Sequence, residues 1–234
     1  MCVSSDFFAG DRPDFITITD DGEAHGFVNA DARSGVVAGK ASLTVSQAAL
    51  RLLRDEPGWS GAFNTGSTVT YAFRATAPSD MPNGVSGFSQ FNAAQILQAE
   101  KALQAWADVA DIRFVRVGGD GYSNNASILF ANYSSGESGS AAFAFYPGNT
   151  AASSRSGDVW VNSSLSYNVN PTASNYGGMV LVHELGHAIG LAHPADYDAD
   201  QGKTVTYSAH ADYYEDSRQY TVMSYFGEGN TGGA

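Results

Sequence analysis

Hydrophobic residues along this chain recur with two periods, one of two residues and one near 3.6, and the two alternate in a definite order. Val69-Thr70-Tyr71-Ala72-Phe73-Arg74 alternates as a half-buried strand does. Ile112 to Val117, Ser127 to Ala131 and Asp158 to Asn162 are further strand candidates, and so is Ala141 to Tyr146, which Pro147-Gly148 ends. Helical spacing first appears from Ser46 to Arg54, where Ala48, Ala49, Leu50, Leu52 and Leu53 recur before Pro57-Gly58. A longer helix is expected from about Phe91 to Val109, with Ser89 as its N-cap. Its core-facing stripe would be Ile96, Leu103, Trp106 and Val109, with Leu97 and Ala99 alongside. A third helix is expected from about Asn175 to Gly190, apolar except for two histidines and a glutamate. After it the chain is rich in Tyr, Asp and Gly and shows no long element.

This order predicts an α+β (mixed) fold: a lobe of strands and helices, then a small irregular C-terminal lobe, with a cleft between them. Residues 1–38 are rich in Asp, Gly and Ser, with one alternating run, Phe15 to Thr19, and read as a leader or pro-segment. Residues 39–234 read as a single domain.

Composition narrows the partners. The 234 residues carry a formal charge of −12, with 12 scattered basic residues, which argues against nucleic acid. The lone cysteine, Cys2, rules out an intramolecular disulfide and reads as an incidental thiol. No run approaches the ~18 apolar residues of a membrane span. No basic segment followed by an apolar one opens the chain, so no cleavable signal peptide is visible. An acidic surface offers carboxylates to calcium, but the Gly-Gly-x-Gly-x-Asp repeats that bind it are not present. His25, in the leader, and His210 read as solvent-exposed.

The third helix carries the chemistry. His183-Glu184-Leu185-Gly186-His187-Ala188-Ile189-Gly190-Leu191-Ala192-His193 sets two imidazoles four residues apart, hence on one helix face. Gly190 can take positive φ and end the helix sharply, so that His193 swings back as a third nitrogen ligand. Three protein ligands leave a fourth position for water, the mark of a catalytic zinc. Glu184, beside the ligands, is placed to act on that water as a general base. Burying two histidines and a glutamate in an apolar helix without a metal or partner would be costly, which disfavours a merely structural role.

A second feature is Asp216-Ser217-Arg218-Gln219-Tyr220-Thr221-Val222-Met223-Ser224-Tyr225, whose methionine lies thirty residues beyond His193. After the extended histidine motif, Met-Ser-Tyr matches the tight methionine turn of metzincins. The chain resembles the serralysins, secreted bacterial zinc endopeptidases of that clan. The likeness rests on His183-Glu184-x-x-His187-x-x-Gly190-x-x-His193-Pro194 with Asp196-Tyr197, and on Glu215-Asp216-Ser217-Arg218 leading into Val222-Met223-Ser224-Tyr225. It extends to Leu103 through Val109, Gly139 through Pro147 and Asn168-Val169-Asn170-Pro171.

The resemblance implies a zincin-like fold, with a twisted, mostly parallel five-stranded sheet and helices above the small irregular lobe. It implies zinc ligation by His183, His187 and His193, with Tyr225 as a displaceable further ligand that also stabilises the oxyanion. Met223 becomes an apolar floor beneath the imidazoles. The edge strand at Ala142, Phe143, Ala144 and Phe145 becomes the rim that pairs with substrate. Expected partners are protein or peptide substrates and a proteinaceous inhibitor, and the chain is expected to be a secreted monomer. Against the family pattern it ends at Gly232-Gly233-Ala234, without a closing helix, a calcium-binding β-roll or a C-terminal export signal, and so reads as a shortened catalytic domain. Two other readings are a non-catalytic zinc-bearing binding domain or inactive fragment, disfavoured by Glu184, and a matrix-metalloprotease-like enzyme, whose cysteine switch is not seen.

Overall fold

The alternating segments become a five-stranded sheet in the computed structural model, which describes residues 35–53, 58–136, 140–198 and 204–233. The expected leader, with Cys2, the Phe15 to Thr19 run and His25, lies outside the described residues apart from its last few positions. In chain order the elements begin with β1 (Val36–Val37), β2 (Lys40–Ala41), α1 (Val45–Leu52), β3 (Ser67–Phe73), α2 (Ala93–Ala107) and β4 (Ile112–Arg116). They continue with β5 (Ile128–Tyr133), β6 (Ala142–Ala144), β7 (Val159–Asn162), α3 (Ser166–Val169), α4 (Tyr176–Ile189) and α5 (Tyr207–His210). Two compact units emerge among the described residues: a larger one from Leu53 to His193, and a smaller one formed by Gly35 to Leu52, Pro194 to Asp198 and Val205 to Gly233.

In the larger unit the strands lie in the order β4-β3-β5-β7-β6. The first three pairings are parallel and the last, β6 with β7, is antiparallel. Central strands of a parallel sheet are covered on both faces, and every residue of β5 and β7 is buried accordingly. On one face Tyr71, Phe73, Ile128, Phe130, Val159 and Val161 meet Ala99, Ala102 and Leu103 of α2 and Val180, Leu181, Leu185 and Ala188 of α4. Strand alternation sends Ala131, Tyr133 and Trp160 to a second cluster with Val85, and Ala72 and Leu129 to a third.

Helix α2 departs from expectation at both ends. Its N-cap is Asn92, not Ser89: Asn92 Oδ1 accepts from the Gln95 amide, and Gln95 Oε1 accepts from the Asn92 amide, forming a capping box. The Ser89 backbone is instead committed to a two-way bridge with Asn132. The buried face is Gln95, Gln98, Ala99, Ala102 and Leu103. Ile96 and Trp106 flank it, half-buried, whereas Leu97 is 56% exposed and Val109, beyond the last turn, is 77% exposed. The buried face is thus rotated from the predicted apolar stripe and includes two polar residues. Gln95 fits there because Nε2 donates to Asn132 Oδ1 at 2.7 Å and to the Asn168 carbonyl at 2.9 Å.

The smaller unit has little regular structure. β1 and β2 form a two-residue antiparallel pair, and α1 buries no residue. Two carboxylates organise the rest. Glu215 accepts from the Ser42 hydroxyl at 2.6 Å and the Leu43 amide at 2.9 Å. Asp216, wholly buried, accepts through Oδ1 from the Tyr197 hydroxyl at 2.8 Å and the Ser224 hydroxyl at 2.7 Å. Lys40 Nζ donates to the Ala211 carbonyl at 2.5 Å, which helps hold the Lys40-Ala41-Ser42 segment beside Tyr213.

Candidate metal centre

Helix α4 owes its position to its two ends. Asn175 caps it by accepting from the Gly178 amide at 3.1 Å. A Cβ on Gly178 would collide with the Thr172 carbonyl, so this first turn needs glycine to lie against the preceding chain. At the other end Gly190 adopts φ +115°. Its amide bonds back to the Gly186 and His187 carbonyls, and the Leu191 amide bonds to the Gly186 carbonyl. A left-handed C-cap of this kind terminates the helix and reverses the chain.

The reversal brings His193 onto the histidine face. His193 Nε2 lies 3.3 Å from His183 Nε2 and 3.1 Å from His187 Nε2. Ligand atoms of all three residues fall within 4.8 Å of one another. His187 Nδ1 lies 2.7 Å from the Leu191 carbonyl. A carbonyl only accepts, so Nδ1 carries the proton and Nε2 keeps its lone pair for the centre of the cluster. A tetrahedral zinc at about 2.0–2.1 Å from each nitrogen would set neighbouring nitrogens about 3.3–3.4 Å apart, so the donor set fits such an ion. His183, His187 and Glu184 are buried and His193 is half-buried.

Three aromatic residues steady this helix in ways that periodicity does not reveal. Trp106 Nε1 donates to the Val182 carbonyl at 2.9 Å, and Trp59 Nε1 to the Ala188 carbonyl at 2.8 Å. Those carbonyls belong to residues immediately before His183 and after His187. Tyr146 presents its ring edge-on to His187, with centroids 5.5 Å apart. Periodicity places Trp106 in the core and Tyr146 in a strand, and gives no role to Trp59. The available signal was general: a buried indole N–H seeks an acceptor.

The predicted rim residues Ala142, Phe143 and Ala144 form β6, the outermost strand, with Phe145 just beyond it. Met223 and Tyr225 belong to the smaller unit. Met223 is wholly buried in a turn closed by the Ser224 amide on the Thr221 carbonyl, and its own amide donates to Thr221 Oγ1 at 3.2 Å. The Tyr225 ring packs 5.1 Å from that of Tyr197, and its hydroxyl lies 3.5 Å from Asp198 Oδ1.

Shifted acidities occur in both units. In the larger, burial pushes the Asp158 carboxyl up to about 7, although the Arg74 guanidinium, 2.8 Å away, pulls it down. Asp158 also accepts from the Leu129 amide at 2.9 Å. In the smaller, burial raises Asp216, opposed by the hydroxyls of Ser224 and Tyr197. Tyr197 is in turn raised by its own burial and by the Asp216 charge.

Comparison with known proteins identifies the family. The matrixin family profile, of peptidase class M10, matches residues 64–218. Metallopeptidase AprA of Pseudomonas marginalis is 46% identical over 198 residues, which are 82% of this chain and 40% of that protein. Serralysin G of Dickeya chrysanthemi is 41% identical over 212 residues, 86% of this chain and 42% of the relative. Metalloprotease AprA of Pseudomonas entomophila is 43% identical over 220 residues, 89% and 44% of the two chains. The chain therefore spans about two fifths of the length of these relatives. With a histidine triad at the C-terminal end of α4 and a family match from residue 64 to residue 218, which takes in the whole main sheet and α4, the chain belongs to the matrixin family as a serralysin-type metzincin.

Proposed function

We propose that this chain hydrolyses internal peptide bonds of proteins, with one zinc ion held by His183, His187 and His193. The observation that carries this reading is the convergence of three Nε2 atoms, with His187 fixed in the ligating tautomer by the Leu191 carbonyl. When bound, zinc supplies a Lewis acid and lowers the pKa of a coordinated water from about 15.7 toward ~7.

The protein's own groups do the rest. Glu184 takes the proton of the attacking water as the carbonyl carbon becomes tetrahedral, then delivers it to the leaving amine nitrogen. The likeness to serralysins would give the Tyr225 hydroxyl a hydrogen bond to the developing oxyanion and a place as a further ligand of bound zinc, and would give Met223 the place of an apolar floor beneath the imidazoles. The outer edge of β6 pairs with the main chain of an extended substrate. The likeness to serralysins supports an extracellular setting.

A casein-cleavage assay with and without a zinc chelator, run beside Glu184→Ala, tests the reading. Chelation should abolish cleavage, and Glu184→Ala should lower it by about 10²–10⁴-fold with zinc retained. Undiminished cleavage by the zinc-loaded variant would remove Glu184 from the mechanism.

A further inference from the structure

β6 is the outer strand of the sheet and pairs with β7 alone. In an antiparallel ladder, residues that exchange hydrogen bonds with the partner alternate with residues whose N–H and C=O point away from it. The Asn162 amide donates to the Ala141 carbonyl at 3.0 Å, and the Phe145 amide to the Asp158 carbonyl at 3.0 Å. Between these points Ala142 stands opposite Val161, Phe143 opposite Trp160 and Ala144 opposite Val159. Ala141, Phe143 and Phe145 therefore bond toward β7, and Ala142 and Ala144 turn their backbone groups to the open edge. That edge has four groups, two N–H and two C=O.

One of the four already accepts a hydrogen bond. The Ser140 hydroxyl donates to the Ala142 carbonyl at 2.7 Å. Among the described residues, no hydrogen bond occupies the Ala142 amide or either backbone group of Ala144. Ser140 is itself held in place, because its carbonyl accepts from Asn162 Nδ2 at 3.0 Å and from the Tyr133 hydroxyl at 3.2 Å. Asn168 Nδ2 fixes the next residue by donating to the Ala141 carbonyl at 2.7 Å. A local side-chain bond of this kind competes directly with strand pairing.

We propose that Ser140 is a specificity-determining residue that sets which positions of an extended peptide need an amide hydrogen, an inference that rests on the peptide-docking role given to β6 above. In an antiparallel pairing, a peptide residue opposite Ala144 exchanges two hydrogen bonds with the edge. A residue opposite Ala142 accepts from the Ala142 amide, but its own N–H must share the Ala142 carbonyl with the Ser140 hydroxyl and so forms the weaker bond. An N-substituted residue, proline included, therefore loses less at that position than opposite Ala144. The same hydroxyl blunts an edge that would otherwise invite pairing between chains.

The test is calorimetric binding of an extended peptide and its singly N-methylated series to the Glu184→Gln protein, so that no ligand is consumed. It is run with Ser140 intact, with Ser140→Ala and with Ser140→Thr. With Ser140 intact, methylation opposite Ala144 should weaken binding about three- to tenfold, the worth of one hydrogen bond, whereas methylation opposite Ala142 should cost clearly less. Ser140→Ala should raise the cost opposite Ala142 to that of the Ala144 position, and Ser140→Thr should lower it again. A cost opposite Ala142 that is the same in Ser140→Ala as with Ser140 intact overturns the role of Ser140 and leaves docking on β6 standing. Failure of the peptide to bind, or indifference to methylation at every position in all three proteins, overturns docking on this edge and the proposal with it.

Discussion

In the larger unit the wholly buried side chains include Phe73, Phe130, Ile128 and Leu185, supplied by a sheet and two helices. In the smaller unit they include Asp216, Ser217 and Met223, with Ser224 and Glu215 nearly as buried. Its apolar cluster is built around Tyr197, Ala211 and Phe226. One region excludes water by packing hydrocarbon. The other does so by satisfying carboxylates with hydroxyls and amides. A stretch without long elements can hold a defined shape if its buried acceptors are matched by nearby donors.

That contrast can be tested by mutation. Leu185→Ala should cost about 3 kcal/mol in urea denaturation, because it opens a cavity between α4 and the sheet. A cost under about 1 kcal/mol would mean that apolar packing is not what holds the larger unit. Asp216→Ala should cost about 2 kcal/mol, since the Tyr197 and Ser224 hydroxyls lose their shared acceptor. Asp216→Asn keeps an acceptor oxygen and should recover most of that loss. Equal damage from the two variants would point to charge rather than hydrogen bonding.

The ion pair in the larger unit has a pH signature. Asp158 titrates near 7 in the folded state, above its unfolded value of 3.8, so between these limits the folded chain binds the extra proton. Its contribution to stability is therefore fully present below about pH 4 and is lost as pH rises through 7. Going from pH 8 to pH 6 should add about 1 kcal/mol that Asp158→Asn lacks. A variant whose stability follows the same pH slope as the parent would show that Arg74 keeps Asp158 ionised throughout.

The two regions also differ in how far sequence foretells them. Periodicity places all five strands of the main sheet and the bounds of α4, and fixed spacing brings His183, His187 and His193 together at Gly190. Such features repeat locally and need no knowledge of distant chain. The start of α2 was also written locally, in Asn92-Ala93-Ala94-Gln95, but the more distant Ser89 competed with it as a candidate cap. Gln95 and Gln98 occupy a buried face because their partners lie far along the chain, which a hydropathy pattern cannot register. The bonds from Trp59 and Trp106 to α4, separated by 129 and 76 residues, are hidden for the same reason. Glu215 and Asp216 look like ordinary surface acids until Ser42, Tyr197 and Ser224 are placed around them.

Everything assigned to the histidine cluster depends on its holding a metal. Elemental analysis of the purified chain, beside His187→Ala, measures this directly. One zinc per chain in the parent, with loss of the ion in the variant, is the predicted result. A folded parent that carries no transition metal after dialysis against zinc would contradict the account.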